Sequence, residues 1–353
     1  MNRDFVHESA PGRVRFAVGA LDRLPAEIDR LGLRRVIVVC SPDRPAAADA
    51  VTESLGTRSA GLHPHAEMHV PAGIADRAVA RCRELDADGC VAVGGGSAIG
   101  LAKVIALRTG LPVVAVPTTY SGSEMTPVWG LTTDGRKITG RDPRVRPVSV
   151  VYDPALTVGL PPAVSSTSAV NAVAHAAEAL YAPDATPVTS LLAAESVRVL
   201  ARVLPSLASG RADIDDRADA LYGSWLAGTV LGATTMSLHH KLCHVLGGAF
   251  DLPHAPTHTA VLPHVLALNL RAHAEARTAL VSALGTPDPA GTLHRLALDT
   301  GAEMSLAALG LPADGIGSVV DAVLDAPYAN PVPVTREAVR RVLDAAFAGV
   351  PPT

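Results

Sequence analysis

Aromatic residues are scarce: Phe, Tyr and Trp make up 3% of the 353 residues. The interior must therefore be built from Ala, Val and Leu, within a hydrophobic fraction of 48%. Cysteine is scarce too. Cys40, Cys82, Cys90 and Cys243 form no CxxC pair and no disulfide framework. Cys40 and Cys90 lie in or beside apolar runs and read as buried thiols, which suits a reducing cytoplasm. No apolar run approaches the ~18 residues of a membrane-crossing helix, and the opening "MNRDFVHESAPGRVRF" lacks the apolar stretch of a secretory signal. No excess of positive charge exists either. Lys and Arg total 30 against 34 Asp and Glu, a net charge of −4, which argues against a nucleic-acid partner. The length suits two domains.

Two periodicities divide the chain. In residues 1–160, "RRVIVVC" (34–40), "GCVAVG" (89–94), "PVVAVP" (112–117) and "VSVVYD" (148–153) are continuous apolar runs. Such runs suit strands buried on both faces of a parallel sheet. Helical patterns lie near 45–56, 75–87 and 98–108, so a doubly wound α/β domain is expected. A hairpin over 129–140 turns at Asp134-Gly135. From 161 to 353, after "LPP", only helical spacings remain: 166–181, 187–208, 212–248, 259–274, 276–284, 290–300, 315–325 and 335–347. This half reads as an all-α domain, and a cleft between two such domains is a common place for a site.

Two polar loops follow strands. Gly94, Gly95 and Gly96 leave the backbone N–H groups open to a pyrophosphate, and Ser97 is placed to cap the helix that follows. The run is not the GxGxxG fingerprint, because Ile99 stands where the third glycine would be. A tight structural turn is the bland alternative. The next loop, "VPTTYSGSEMTP", offers Thr118, Thr119 and Ser121 beside Tyr120 and Gly122. Both loops sit at strand carboxyl ends, where doubly wound sheets bind nucleotides. After the first strand, Ser41 precedes Asp43 and Arg44. Ser41 tolerates a 2′-phosphate and Arg44 can pair with one, so NADH and NADPH both remain open.

Histidine is concentrated. Six of the 13 lie in "SLHHKLCHVLGGAFDLPHAPTHTAVLPH": His239, His240, His244, His254, His258 and His264. His240 and His244 are four apart and share a helical face, as do Asn171 and His175 in "NAVAHAAEAL". Gly247, Gly248 and Pro253 are expected to break the helix and return His254 toward His240. Three imidazoles and a carboxylate would hold a divalent ion well, but the carboxylate is missing. Asn171 is neutral, and Glu178 would have to reach along its helix to serve. His264 reads as a core or cap residue, and His239, turned about 100° from His240, as a supporting or surface one. An imidazole cluster also suits proton transfer. In the hairpin, Arg136, Lys137, Arg141, Arg144 and Arg146 read either as a solvated face or as a grip on a dicarboxylate.

The pieces "GGGSAIGLAK", "VPTTYSGSEMTPVWGLT", "GRKITGRDPRV", "YDPALT", "NAVAHAAEALYA", "HHKLCHVLGG" and "LPHAPTHTAVLPH" together resemble the iron-containing alcohol dehydrogenase superfamily over nearly the whole chain. Within it, the chain is most similar to the maleylacetate reductases. Metal-dependent members carry Asp where this chain has Gly100 and Asn171, as the maleylacetate reductase branch is expected to. The resemblance implies a Rossmann-like nucleotide domain, a helical catalytic domain, a homodimer and NADH or NADPH as cofactor.

It also places Asn171, His175, His240 and His254 at the metal-ligand positions and His244 near the nicotinamide. With an amide at 171, a metal-free or weakly metal-binding site is expected; a metal, if present, would sit on His175, His240 and His254. Substrate contacts are expected from Arg136, Lys137, Tyr120 and His258. Pro256 stands where the branch is expected to carry an acidic residue, which leaves the exact substrate open. The implied reaction is NAD(P)H-dependent reduction of the conjugated C=C of maleylacetate, or a close enone dicarboxylate, to 3-oxoadipate in aromatic compound degradation. Imidazole N–H groups would hold the enolate, and His244 would supply the proton. The alternatives are a metal-dependent alcohol or aldehyde oxidoreductase, an enone reductase of a biosynthetic route, a cyclase resembling dehydroquinate synthase, and a non-catalytic binding protein.

Overall fold

The computed structural model describes residues 6–7, 12–43, 45–133 and 136–353, without the side chains of Pro45 and Arg136. Arg44 and the Asp134-Gly135 turn therefore lie outside the described residues. The chain forms two compact units: Ala10–Leu160, and Pro161–Thr353 together with the N-terminal segment Met1–Ser9. Among the described residues of that segment, the Nδ1 of His7 lies 3.2 Å from the hydroxyl of Thr186.

The first unit is built on six parallel strands in the order β1-β8-β5-β4-β2-β3. They are β1 (Arg13–Phe16), β2 (Val36–Val39), β3 (Ser59–His63), β4 (Gly89–Gly94), β5 (Val113–Pro117) and β8 (Ser149–Tyr152). Helices α1 (Leu24–Arg30), α2 (Pro45–Leu55), α3 (Ala72–Glu84) and α4 (Gly96–Thr109) cover it. Alternate residues of β2 enter opposite cores. Ile37 and Val39 pack with α3 and α4, while Val36 and Val38 pack with α1 and α2. That is why the central runs are apolar at every position. A separate antiparallel pair, β6 (Val128–Thr133) and β7 (Arg136–Arg141), forms the hairpin. Strand order reverses between β2 and β4, and the carboxyl ends at such a switch point are where open α/β sheets take ligands. Ser41 and the Gly94–Gly96 turn follow those two ends.

The second unit contains α5 (Pro162–Ala179), α6 (Pro187–Ala208), α7 (Ile214–Ala233), α8 (Leu238–Phe250), α9 (His254–Asn269), α10 (Ala274–Leu284), α11 (Pro289–Asp299), α12 (Gly315–Leu324) and α13 (Arg336–Ala348). No strand lies among its described residues. From Ala169 to Ala179 every residue of α5 is buried. Small Ala and Ser side chains let its neighbours close around it on every side. The expected 212–248 helix is two helices, parted at Thr234–Ser237. Gly247 and Gly248 do not end α8; it stops at Asp251, which takes a left-handed conformation with φ 54°. An interior glycine costs a helix only about 1 kcal/mol, less than tertiary packing supplies.

Candidate active site

In the first unit, the turn between β4 and α4 is shaped for close approach. Gly94 has φ +142°, a region that favours glycine. A Cβ on Gly95 would stand 2.6 Å from the Thr119 hydroxyl, so the second polar loop lies directly on the glycine turn. The Thr118 N–H donates to the Gly94 carbonyl at 3.1 Å, while the Thr118 hydroxyl is buried without a hydrogen-bond partner. A buried orphan donor beside open backbone amides fits a polar ligand such as a pyrophosphate. Gly95, not Ser97, is the N-cap of α4, and no side chain caps that helix; Ser97 lies in its first turn. Ser121 sits 3.5 Å from a Glu124 carboxylate oxygen. Tyr120, expected to contact substrate, is fully buried.

Lys103 and Glu124 were not singled out from sequence. Both are fully buried. Burial pulls the Lys103 ammonium down to about 7, against the attraction of Glu124. Burial also raises Glu124, although Tyr152 donates to it at 2.7 Å. The signal that could have found them is a charged residue inside an apolar helix face, "LAKVIAL", with a carboxylate in the next loop.

In the second unit, α5, α8 and α9 bring histidines together. The ligand atoms of His175, His240 and His258 all lie within 4.8 Å of one another, and all three residues are buried. Ring centroids are 5.1 Å apart for His175–His240 and 5.0 Å for His240–His258. Burial holds His175 and His258 well below the ordinary imidazole value, and the neighbouring rings add to the effect. Burial likewise lowers His240 to about 3 and His239 to about 4. The cluster is therefore neutral at ordinary pH.

His254 is not among the three. It opens α9 and is exposed, with its ring 4.2 Å from that of His258. His258, one helical turn further on, occupies the interior. His244 is also exposed, 6.3 Å from His240 by ring centroid. His239 is fully buried, its Nε2 3.1 Å from the His258 carbonyl, so it is no surface residue. His264 lies apart, 6.3 Å from His294.

Glu178 is outside that trio and forms a second close group of donors with His239 and His240. One of its oxygens meets His240 Nδ1 at 2.5 Å, and the other accepts the His239 N–H at 2.9 Å. A carboxylate on Nδ1 fixes ring orientation and turns Nε2 toward the cage, as carboxylate–histidine pairs do around metals. Four ring nitrogens of the three histidines are then buried without a hydrogen-bond partner, His175 Nδ1, His240 Nε2 and both Nδ1 and Nε2 of His258, as is Asn171 Oδ1 one turn before His175 on α5. The set fits a divalent cation by donor type and spacing. It equally fits an oxygen-bearing substrate. A cation here would gain no charge from Asn171, and Glu178 is already engaged.

Among the basic hairpin residues, Arg144 is bound to Asp142, Lys137 and Arg141 are exposed, and Arg146 is half-buried. The Arg136 side chain lies outside the described residues.

Comparison with known proteins agrees with this architecture. Residues 11–154 match the iron-containing alcohol dehydrogenase family, and 165–347 match the C-terminal domain of the Fe-containing alcohol dehydrogenase family. A maleylacetate reductase of Sphingobium indicum is 51% identical over 99% of both chains. Maleylacetate reductase 2 of Cupriavidus pinatubonensis is 52% identical over 99% of this chain and 98% of its own. The crystal structure of maleylacetate reductase from Agrobacterium tumefaciens superposes with a TM-score of 0.95 at 44% identity, covering 99% of this chain and 100% of that one. The protein is thus an oxidoreductase with a nucleotide cofactor and a small-molecule substrate. The chain belongs to the iron-containing alcohol dehydrogenase family and, within it, to the maleylacetate reductases.

Proposed function

We propose that the protein reduces the C=C bond of maleylacetate, conjugated to a ketone, to give 3-oxoadipate in the degradation of aromatic compounds. The full-length relatives support the substrate class. One observation carries the chemical reading: His258 is buried beside His175 and His240 with neither ring nitrogen hydrogen-bonded. A neutral imidazole has one N–H and one lone pair, so His258 presents a donor and an acceptor to whatever enters.

Bound NADH or NADPH supplies hydride to the carbon remote from the ketone. The chain's residues then manage the charge and the proton. As the double bond takes hydride, negative charge moves to the ketone oxygen, and N–H groups of His258 and His175 stabilise it in a site shielded from water. The Glu178 contact with His240 Nδ1 leaves Nε2 as an acceptor in the anionic pair, so His240 is assigned to orienting rather than to the oxyanion. The carbon next to the ketone takes a proton, completing the reduction, and exposed His244 is the residue assigned to deliver it. Asn171 lines the cage as a neutral hydrogen-bonding group. The gripping of the carboxylates is assigned to the basic hairpin and the polar loop. The reading includes a cytoplasmic homodimer.

A divalent cation, if bound, would be held by His175, His240 and His258 and would supply Lewis acidity at the same oxygen. The amide of Asn171, standing where a carboxylate would add charge, is the ground for proposing turnover without one. The second reading, a metal-dependent alcohol or aldehyde oxidoreductase, draws on the close spacing of the same three rings. Replacing His244 with Ala is expected to lower kcat by about 10²–10⁴-fold. Steady-state assays with maleylacetate and each nucleotide test this; full turnover in His244→Ala removes that residue from the mechanism.

A further inference from the structure

The ammonium of Lys103 lies in the middle of α4 with no exposed surface. Its Nζ donates to the Ser123 carbonyl at 2.6 Å, the Thr126 hydroxyl at 2.8 Å and the Val128 carbonyl at 2.9 Å, with the Ser123 hydroxyl at 3.3 Å. An ammonium has three donors, so all of them are spent on one segment, residues 123–128. That segment has only a short 3-10 turn at Ser123–Met125 before β6 begins. The Ser123 carbonyl also accepts from the Thr126 N–H and the Thr126 hydroxyl, each at 3.1 Å, so Lys103 adds to a segment already folded on itself a tie to α4.

The same segment continues from the polar loop that covers the glycine turn. Thr118 donates to Gly94, and Thr119 lies against Gly95, at one end of α4. Lys103 is seven residues beyond Gly96, about 10 Å along the helix axis. The loop is therefore tied twice, at the β4–α4 turn through Thr118 and Thr119 and at mid-helix through Lys103, with residues 120–122 between the ties. Glu124 is itself held by the Tyr152 hydroxyl. A leucine or methionine at 103 would fill the helix face without the desolvation cost of burying an ammonium. The charge is explained by what it holds.

We propose that Lys103 is a positioning residue for the nucleotide: it fastens the 118–128 loop to α4 so that Thr118 and Thr119 stand over the Gly94–Gly96 turn. This rests on nucleotide binding by that turn. The test starts with NADH and NADPH binding to the intact wild-type protein, followed by nicotinamide fluorescence; no binding of either overturns the nucleotide reading and this proposal together. Given binding, Lys103→Met is expected to raise the nucleotide Kd and KM at least tenfold, with kcat at saturating nucleotide within about threefold of wild type. A folded Lys103→Met protein with unchanged Kd overturns the proposal. So does loss of kcat at unchanged KM, which marks general damage. If Lys103→Met does not fold, Thr126→Val removes one acceptor and keeps the ammonium. A smaller rise in Kd of several-fold is then expected, and an unchanged Kd overturns the proposal.

Discussion

His258 is the residue whose surroundings say most about the chemistry. A buried polar atom without a partner costs about 1–3 kcal/mol, and His258 has two. A fold retains such groups where a ligand completes them. His258→Leu is accordingly expected to keep or raise the melting temperature while lowering kcat at least a hundredfold. Thermal unfolding and steady-state kinetics on the same preparation check both halves; loss of stability with retained activity would make His258 a packing residue. The histidine concentration and the missing carboxylate at Asn171 were legible in the sequence. The identity of the third inner ring was not. Two glycines suggested a break before residue 249, which would have turned His254 inward. The helix instead continues to Phe250, α9 starts on His254, and the inward position falls a turn later. Glu178 was legible only as a reach along its own helix. Its partner, His240, lies 62 positions away, a contact that only tertiary packing creates.

At the scale of elements, the glycine turn and the loop above it work as a unit. Gly95→Ala puts a methyl group where the Thr119 hydroxyl stands. It is expected to weaken nucleotide binding by about tenfold, the equivalent of 1.4 kcal/mol, with little change in kcat at saturation; titration with NADH and NADPH reads it directly. His63, at the end of β3, gives a pH signature. It is buried, and burial lowers its pKa to about 4, helped by His65, Arg77 and Arg81. Because the folded value lies below the ordinary one of 6.5, the contribution of its neutral form is complete above about pH 6.5 and is lost as pH falls toward 4. Urea midpoints at pH 7 and 4.5 should therefore converge in His63→Asn relative to wild type; an identical pH dependence would show that His63 does not contribute. The four central strands were readable as apolar runs. Strands β1 and β3 were not, because they are the two edges of the sheet. "RVRF" and "SAGLH" pack only partly and carry no continuous apolar run. The break between α7 and α8 was missed for another reason: "TTMS" holds neither glycine nor proline.

At the scale of the molecule, each unit carries one of the features on which the proposed function rests. The Ala10–Leu160 unit offers a glycine turn at the switch point of its sheet, and the helical unit offers a cage of neutral imidazoles. The change of hydrophobic period near 160 made this two-part architecture readable, since strand runs and helical spacing are set by local pattern. Charge state was harder to read. Sequence supplies the imidazoles, but only burial shows that they are neutral, and only the Glu178 contact shows which His240 nitrogen faces inward. The central claim is that these neutral rings, without a tightly held ion, support reduction of a conjugated enone. The direct measurement is turnover of maleylacetate with NADH and with NADPH, followed by nicotinamide absorbance, before and after removal of metals by EDTA. The account predicts consumption of nucleotide with 3-oxoadipate as product and an undiminished rate after chelation. No turnover with either nucleotide, or a rate lost to EDTA and recovered with iron or zinc, would contradict it.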